Sequence, residues 1–225
     1  MTEEIIIAGF GGQGVLSMGK ILAYSGIMQD QEVSWMPSYG PEMRGGTANV
    51  TVILSDDRIS SPYLKVFDTA IILNQQSMDK FEESVKPGGI LLYEPNGISH
   101  HPVRTDINIY QIEANKLSTE MGNKKMFNMV VMGAFLKIKP IVELENVIEG
   151  LKKSLPERYH DLIPLNKEAI TKGMENVKPY LAEQEIHDLL SDYRVEDNRE
   201  GFAVNFTVAR DVIFEVLGIP NEDLT

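Results

Sequence analysis

The sequence predicts an α/β fold: a three-layer, Rossmann-like domain with a mostly parallel sheet, followed by helices and a helical C-terminal extension. Two observations support this prediction, a strand–loop–helix unit at the start and an alternating pattern after it. A β-branched run at residues 4–8 indicates a buried strand, a glycine-rich loop follows it directly, and a helical run follows the loop. Further along, short apolar runs alternate with helical stretches up to about residue 112.

Six runs rich in β-branched residues predict the strands, at Glu4–Ala8, Glu32–Met36, Thr47–Leu54, Thr69–Asn74, Ile90–Tyr93 and Ile107–Ile112. Helices are predicted between them over Val15–Met28 and Gln75–Val85, and Lys86–Gly89 predicts the turn that ends the second helix. Right-handed crossovers would place the loops after the first, second and fourth strands on one rim of the sheet.

From residue 115 onward the sequence is mostly helical. Residues 128–136 are apolar on nearly every side, which predicts a buried helix, and 144–151 have the spacing of an amphipathic helix. We expect residues 1–173 to form the main domain. The last 52 residues carry twelve acidic and four basic side chains, a net charge of −8, yet contain two apolar stripes. They predict an acidic helical extension, 174–225, that packs on the domain, with docking to a partner as the alternative.

The composition argues against several classes of function. The net charge of −12 and the lack of a basic patch argue against nucleic acid as a partner. No apolar run is long enough to span a bilayer and no signal-peptide pattern stands at the start, so a cytoplasmic location away from membranes is expected. The chain contains no cysteine. It therefore cannot hold a cysteine-ligated iron–sulfur cluster, a disulfide or a thiol nucleophile.

The glycine-rich loop satisfies the G-x-G-x-x-G pattern between a strand and a helix. Its residues are the candidate anion- or cofactor-binding groups Gly9, Gly11, Gly12, Gln13 and Gly14. A nicotinamide site also needs an acid at the end of the second strand, where this chain has Pro37, Ser38 and Tyr39. Two interpretations stay open: a phosphate site at the helix N-terminus, or a tight turn that binds nothing.

The loop after the second strand contains the strongest single candidate, Arg44, followed by Gly45 and Gly46. A guanidinium matches phosphate or carboxylate oxygens, and glycines let a ligand approach the backbone closely. Anion recognition is one interpretation. The other is a salt bridge from Arg44 to Glu42 or to another subunit, which would fix the loop.

Further residues are candidates for an interface or for a substrate path: Ser38, Tyr39, Pro41, Glu42 and Asn74. Asn74 follows the fourth strand, where it can meet a ligand or cap the next helix. Trp35 fits an interface or an ordinary core position. No histidine or acid cluster has metal-ligand spacing, so no metal site is expected, and no catalytic residue is recognisable on this chain.

Three segments together resemble one family: residues 9–16, residues 34–48, and Ser60-Ser61-Pro62. In order and spacing they are similar to the gamma subunit of 2-oxoacid:ferredoxin oxidoreductases. The resemblance covers roughly residues 3–173. It is closest to the 2-oxoglutarate type, because the pyruvate type usually carries two arginines and an alanine-proline pair where this chain has Met43-Arg44-Gly45-Gly46-Thr47.

This resemblance implies a subunit of an enzyme that decarboxylates a 2-oxoacid oxidatively, with coenzyme A as the acyl acceptor and ferredoxin as the electron acceptor. It places thiamine diphosphate, Mg and the iron–sulfur clusters on other subunits, and no tightly bound cofactor on this chain. Alpha, beta and delta subunits are the implied partners. Two alternatives remain: an autonomous NAD(P)-dependent oxidoreductase, and a ligand-free scaffold whose isolated chain forms a homodimer.

Overall fold

The computed structural model of the chain describes residues 1–39 and 46–180. The chain divides into two units, Met1–Val177 and Lys178–Thr225. Of the second unit only residues 178–180 are described, with a two-residue strand at Lys178–Pro179. The predicted extension therefore lies almost entirely outside the described residues.

The first unit is built on a six-stranded sheet with the order β2-β3-β1-β4-β5-β6. The strands are β1 (Thr2–Phe10), β2 (Glu32–Tyr39), β3 (Thr47–Ser55), β4 (Phe67–Ile72), β5 (Val85–Tyr93) and β6 (Asn108–Gln111). Strands β1, β4, β5 and β6 run parallel to one another. The predicted α/β class with a mostly parallel central sheet is thus confirmed.

Strand β3 runs antiparallel to both β1 and β2. Residues 40–46 alone separate β2 from β3, and a parallel connection needs a dozen or more residues to cross back over the sheet. The short loop therefore forces an antiparallel pair. As a consequence β2 points the same way as β1, although the two strands are not neighbours.

The helices are α1 (Val15–Met28), α2 (Gln75–Phe81), α3 (Ala114–Glu120), α4 (Phe127–Ile138), α5 (Leu144–Ser154) and α6 (Ile163–Asn176). Short 3₁₀ turns occur at Glu82–Ser84, Pro95–Gly97, Lys124–Met126 and Glu157–Leu162. Helix α1 has the predicted bounds, α4 is the predicted buried helix and α5 the predicted amphipathic one. No helix in the described ranges is both long and apolar enough to cross a membrane.

Two segments differ from the sequence prediction. The predicted helix Gln75–Val85 ends at Phe81 and continues only as a 3₁₀ turn. Residues 86–89, predicted as a turn, lie inside β5, where the pairing with β4 jumps from Phe67↔Val85 to Thr69↔Ile90. The extra residues bulge outward at Gly88, whose φ is +75°. A β-bulge accommodates turn-forming residues such as glycine at positive φ without ending the strand.

Both faces of the sheet are apolar. Ile5, Ile7 and Leu92 belong to a large core that the sheet shares with α1 and α4. The intervening Ile6 is 1% exposed and faces the side that carries α2. Because side chains alternate along a strand, this pattern places helices on both faces and gives the three predicted layers.

Candidate ligand and interface site

The carboxyl ends of β1, β2 and β4 lie on one rim of the sheet, because these strands point in the same direction. The backbone joins the glycine loop to the residue before β3: the Gly11 N–H donates to the Gly46 carbonyl oxygen at 2.9 Å. Gly46 is the last residue before β3. The glycine loop and the end of the 40–46 loop are therefore held side by side, as the sequence predicts.

The glycine loop opens α1 without any side-chain cap. Gly12 and Gly14 have φ values of +102° and +79°, in the left-handed region that favours glycine. Gly14 is the N-cap, and the first turn contains no acidic residue. The first-turn amides of the helix carry partial positive charge and have no partner within the helix. Chemically, this end of α1 suits an anion.

Gln13 has a structural function in the loop. Its Oε1 accepts the Phe10 N–H at 2.6 Å, and its Nε2 donates to the Leu73 carbonyl oxygen at 3.2 Å. A Cβ at Gly9 would lie 2.6 Å from that Oε1, so Gly9 leaves the room that this arrangement needs. Gln13 thus ties the loop to the end of β4, and its amide is already engaged.

A polar cavity of about 320 Å³ opens beside the glycine loop. Two lysines stand out in its lining, which consists of Gly12, Gln13, Gly14, Asn115, Lys124, Lys125, Phe127 and Asn128. The lysines lie in the 3₁₀ turn just before α4. Our sequence analysis missed them, although the adjacent pair directly before a buried apolar helix was a visible signal. Cations and free amides together favour a negatively charged ligand.

Asn74 is 1% exposed and caps α2: its Oδ1 accepts the Ser77 N–H at 2.8 Å. The capping interpretation accounts for that contact. Its Nδ2 is buried without a hydrogen-bond partner among the described residues. Capping leaves the amide little freedom to reach a ligand, so the contribution of Asn74 to a substrate path stays a prediction.

Glu94 is a buried acid that sequence reasoning missed. It follows β5, is fully buried, and its Oε1 accepts from the Asn96 side chain at 2.9 Å and from the Asn115 N–H at 3.4 Å. Asn115 lines the lysine-rich cavity. Glu94 therefore positions one wall of that cavity.

The remaining predicted site residues fall at or beyond the edge of the described structure. Ser38 is exposed near the end of β2. Pro41, Glu42, Arg44 and Gly45 lie outside the described residues, as does the side chain of Tyr39. The 40–46 loop starts and ends on the rim that carries the glycine loop. Among the described residues, no group of three or more His, Cys, Asp or Glu could hold a metal ion.

Trp35 is 40% exposed, so the core interpretation is wrong. Strand β2 is the outer strand of the sheet in the described unit, and α1 packs against it. The indole therefore lies at the border of the core, where one side meets solvent or another protein.

Comparisons with known proteins identify the family of the chain. Residues 4–176 match the family model described as pyruvate ferredoxin/flavodoxin oxidoreductase. The 2-oxoglutarate synthase subunit KorC of Methanocaldococcus jannaschii is 32% identical over 181 residues, which cover 79% of this chain and 95% of the relative. The ketoisovalerate oxidoreductase subunit VorA of Methanothermobacter thermautotrophicus is 38% identical over 173 residues, covering 76% of this chain and 36% of that subunit. The chain thus spans about a third of the VorA sequence.

Solved structures share the fold. The gamma subunit of keto/oxoacid ferredoxin oxidoreductase from Geobacter sulfurreducens has a TM-score of 0.64 at 28% identity, over 77% of this chain and 96% of that one. A 2-oxoglutarate:ferredoxin oxidoreductase from Magnetococcus marinus gives 0.70 at 24% identity, over 77% of this chain and 30% of that one. The fold and the match across most of its length show that the chain belongs to the pyruvate ferredoxin/flavodoxin oxidoreductase family.

Proposed function

We propose that this chain is the gamma subunit of a multisubunit 2-oxoacid:ferredoxin oxidoreductase, with 2-oxoglutarate as the favoured substrate. The observation that carries the proposal is the match to the KorC subunit, which extends over 95% of that relative. The match to VorA is higher in identity but spans a third of it. The KorC relative is the support for 2-oxoglutarate as the substrate, and the VorA relative makes a branched-chain 2-oxoacid the alternative.

The reaction converts the 2-oxoacid and coenzyme A to an acyl-CoA and carbon dioxide, and ferredoxin takes up the electrons. This chain lacks cysteine, so the cysteine-ligated iron–sulfur clusters belong to other subunits. We assign thiamine diphosphate and Mg to other subunits as well, as the resemblance to the gamma subunits implies. Alpha and beta subunits, and a delta subunit where one exists, are the partners, in the cytoplasm. The chain alone is expected to be inactive.

Within such a complex, we assign the rim of the sheet to the path of coenzyme A or of the substrate acid. The unpaired amides at the start of α1, the lysine pair of the adjoining cavity and Arg44 are the groups that suit its phosphates or carboxylates. We assign them the binding and orientation of an anion, because amide, ammonium and guanidinium groups all donate hydrogen bonds. Gln13 and Glu94 support this surface from below.

An autonomous nicotinamide enzyme fits less well. The end of β2 has no acid for a ribose, and the Gln13 side chain spans the gap between β1 and β4, where a dinucleotide would lie. A titration of the isolated chain with NADH tests this alternative, and saturable binding in the micromolar range would favour it.

Deleting the gene for this chain in its native host tests the proposal. Anaerobic extracts should lose coenzyme A-dependent viologen reduction with 2-oxoglutarate and regain it when the gene is returned on a plasmid. Extracts that keep full activity without the chain would show that it is not a required subunit.

A further inference from the structure

Strand β2 leaves one edge open. It forms one end of the sheet, and in the described part of the chain no strand pairs with its outer side. An open edge presents backbone N–H and C=O groups that can add another strand. In each residue of β2 the backbone N–H and C=O point either toward β3 or toward the open edge. Only those that point toward the open edge can pair with an added strand.

The pairing of β3 gives that direction. The Asp56 N–H, next to the end of β3, donates to the Met1 carbonyl oxygen at the start of β1. Even-numbered residues of β3 therefore bond toward β1 and odd-numbered ones toward β2. Because Ser34 pairs with Ile53 and Met36 with Thr51, the even residues of β2 bond to β3. The backbone groups of Val33, Trp35 and Pro37 must point outward.

Pro37 supports the same assignment independently. Proline has no N–H, so in a sheet it occupies positions whose N–H would face away from the neighbouring strand. Its place in β2 shares the parity of Val33 and Trp35. The outer edge thus offers N–H groups at Val33 and Trp35, lacks one at Pro37, and by the same parity has one again at Tyr39, the last residue of β2.

An apolar groove lies next to this edge. It has a volume of about 310 Å³ and is lined by Lys20, Ala23, Tyr24, Ile27, Val33 and Trp35. Ile27 and Trp35 are 48% and 40% exposed, which is unusual for side chains that adjoin a large core. Val33 and Trp35 contribute side chains to the groove and backbone groups to the edge.

We infer that the β2 edge and this groove bind an extended segment of a partner subunit, which adds a strand beside Val33 and Trp35. In β-strand addition, main-chain hydrogen bonds provide affinity, and pockets for every second side chain provide specificity. One apolar or aromatic side chain of the segment fills the groove. Lys20 is the charged residue of the lining, so an acidic side chain of the segment lies beside it.

A second copy of this chain fits the surface less well. A stable dimer needs roughly 800 Å² per subunit, whereas the surface comprises one short strand edge and one groove. Two copies would also bring two lysines and no groove-side acid together. A single strand that belongs to a larger assembled partner needs no more area than this. The inference rests on the proposed function, since it needs a complex.

Hydrogen exchange provides the test, on the purified holocomplex and on the isolated chain. The Val33 and Trp35 amides should exchange quickly in the isolated chain and slow at least tenfold in the complex. Ser34 and Met36, which bond to β3, should be slow in both. Unchanged exchange at Val33 and Trp35 in an active complex would overturn the inference and leave the proposed function intact.

A pair of variants tests the same contact by affinity for the remaining subunits. Val33→Pro removes an outward N–H, and Val33→Ala keeps it while losing a similar part of the side chain. Val33→Pro should raise the dissociation constant at least tenfold relative to Val33→Ala. Equal affinities would contradict the inference.

Photo-crosslinking identifies the occupant. With p-benzoylphenylalanine in place of Trp35, crosslinks in the holocomplex should map to one extended segment of another subunit that contains an acidic residue. The same substitution at Tyr63, which is 82% exposed in a different loop, is the control. Crosslinks within the same chain or to a second copy would overturn the inference, and failure of the wild-type chain to form any complex would overturn the proposed function as well.

Discussion

Gln13 closes the gap between the ends of β1 and β4 by donating from its Nε2 to the Leu73 carbonyl oxygen at 3.2 Å. The helices that follow these two strands, α1 and α2, lie on opposite faces of the sheet. Folds of this class bind ligands in the crevice at such a switch point. Here a side chain of the protein crosses it. The first-turn amides of α1, which have no partner within the helix, lie beside the neighbouring cavity that Gly12 and Gly14 help to line.

The first prediction concerns this bridge. Gln13→Ala removes hydrogen bonds at both ends and leaves the Leu73 carbonyl and the Phe10 N–H without their partner. We expect a loss of about 1–3 kcal/mol in the free energy of unfolding, measured by chemical denaturation. Gln75→Ala, at a half-buried glutamine whose Oε1 accepts solvent-exposed hydrogen bonds from the Ser99 and His100 amides, is the control and should cost less. A smaller loss at Gln13 than at Gln75 would contradict this role.

The second prediction concerns the crossing of α4 and α6. A Cβ at Gly173 would overlap the Val130 carbonyl oxygen, and one at Gly133 would overlap that of Ile170. Gly173→Ala should therefore push the helices apart and cost about 3 kcal/mol, the upper range for an overpacked core. Gly122→Ala has open space but a φ of +70°, and should cost about 1 kcal/mol. Similar denaturation midpoints for both variants would argue against a close crossing.

The third prediction concerns pH. The Arg104 guanidinium donates to Asp106 at 2.8 and 2.6 Å, and this hydrogen bonding lowers the pKa of Asp106 below its ordinary value of 3.8. A carboxyl whose pKa is lower in the folded state stabilises the fold above the unfolded pKa. That contribution disappears as the pH falls through the folded pKa.

Asp106→Asn should therefore melt below wild type near neutral pH, and the difference in melting temperature should shrink below about pH 3.8. Asp161→Asn, at an exposed aspartate, is the matched control. A difference that stays constant down to the acid limit would show that the ion pair is not its cause.

The fourth prediction concerns the anion surface. Replacing Lys124 and Lys125 together by glutamate should raise the KM for coenzyme A about tenfold in the holoenzyme, which corresponds to ~1.4 kcal/mol. Arg44→Ala should act in the same direction or weaken assembly. Lys116→Glu, at a lysine that is 60% exposed outside this cavity, is the control. Unchanged kinetics and unchanged assembly for both sets of variants would remove these residues from the coenzyme A path.

The sequence predicted the elements whose signals are local. Helix α1 has the predicted bounds because a glycine loop starts it and its apolar positions continue to residue 28. The direction of β3 was not predicted, since it depends on where the strand inserts between β1 and β2. The bulge at residues 86–89 was also missed. Its Pro and two Gly residues are equally compatible with a turn and with a bulge. Only the pairing with β4 distinguishes the two.

The site was predicted only in part for the same reason. The glycine loop is a contiguous motif, so its place at the start of α1 was visible. Lys124 and Lys125 reach the loop through the packing of α4, which no sequence spacing records. Glu94 looks like an ordinary polar residue after a strand until its burial is known. Trp35 is exposed because β2 ends the described sheet, a property of strand order.

Affinity purification of this chain from its native cells under anaerobic conditions tests the central claim most directly. The eluate is identified by mass spectrometry and assayed for coenzyme A-dependent viologen reduction with 2-oxoglutarate. We predict that thiamine diphosphate-binding and iron–sulfur subunits purify with the chain and that the eluate is active. A chain that elutes alone and inactive would contradict the assignment as a gamma subunit.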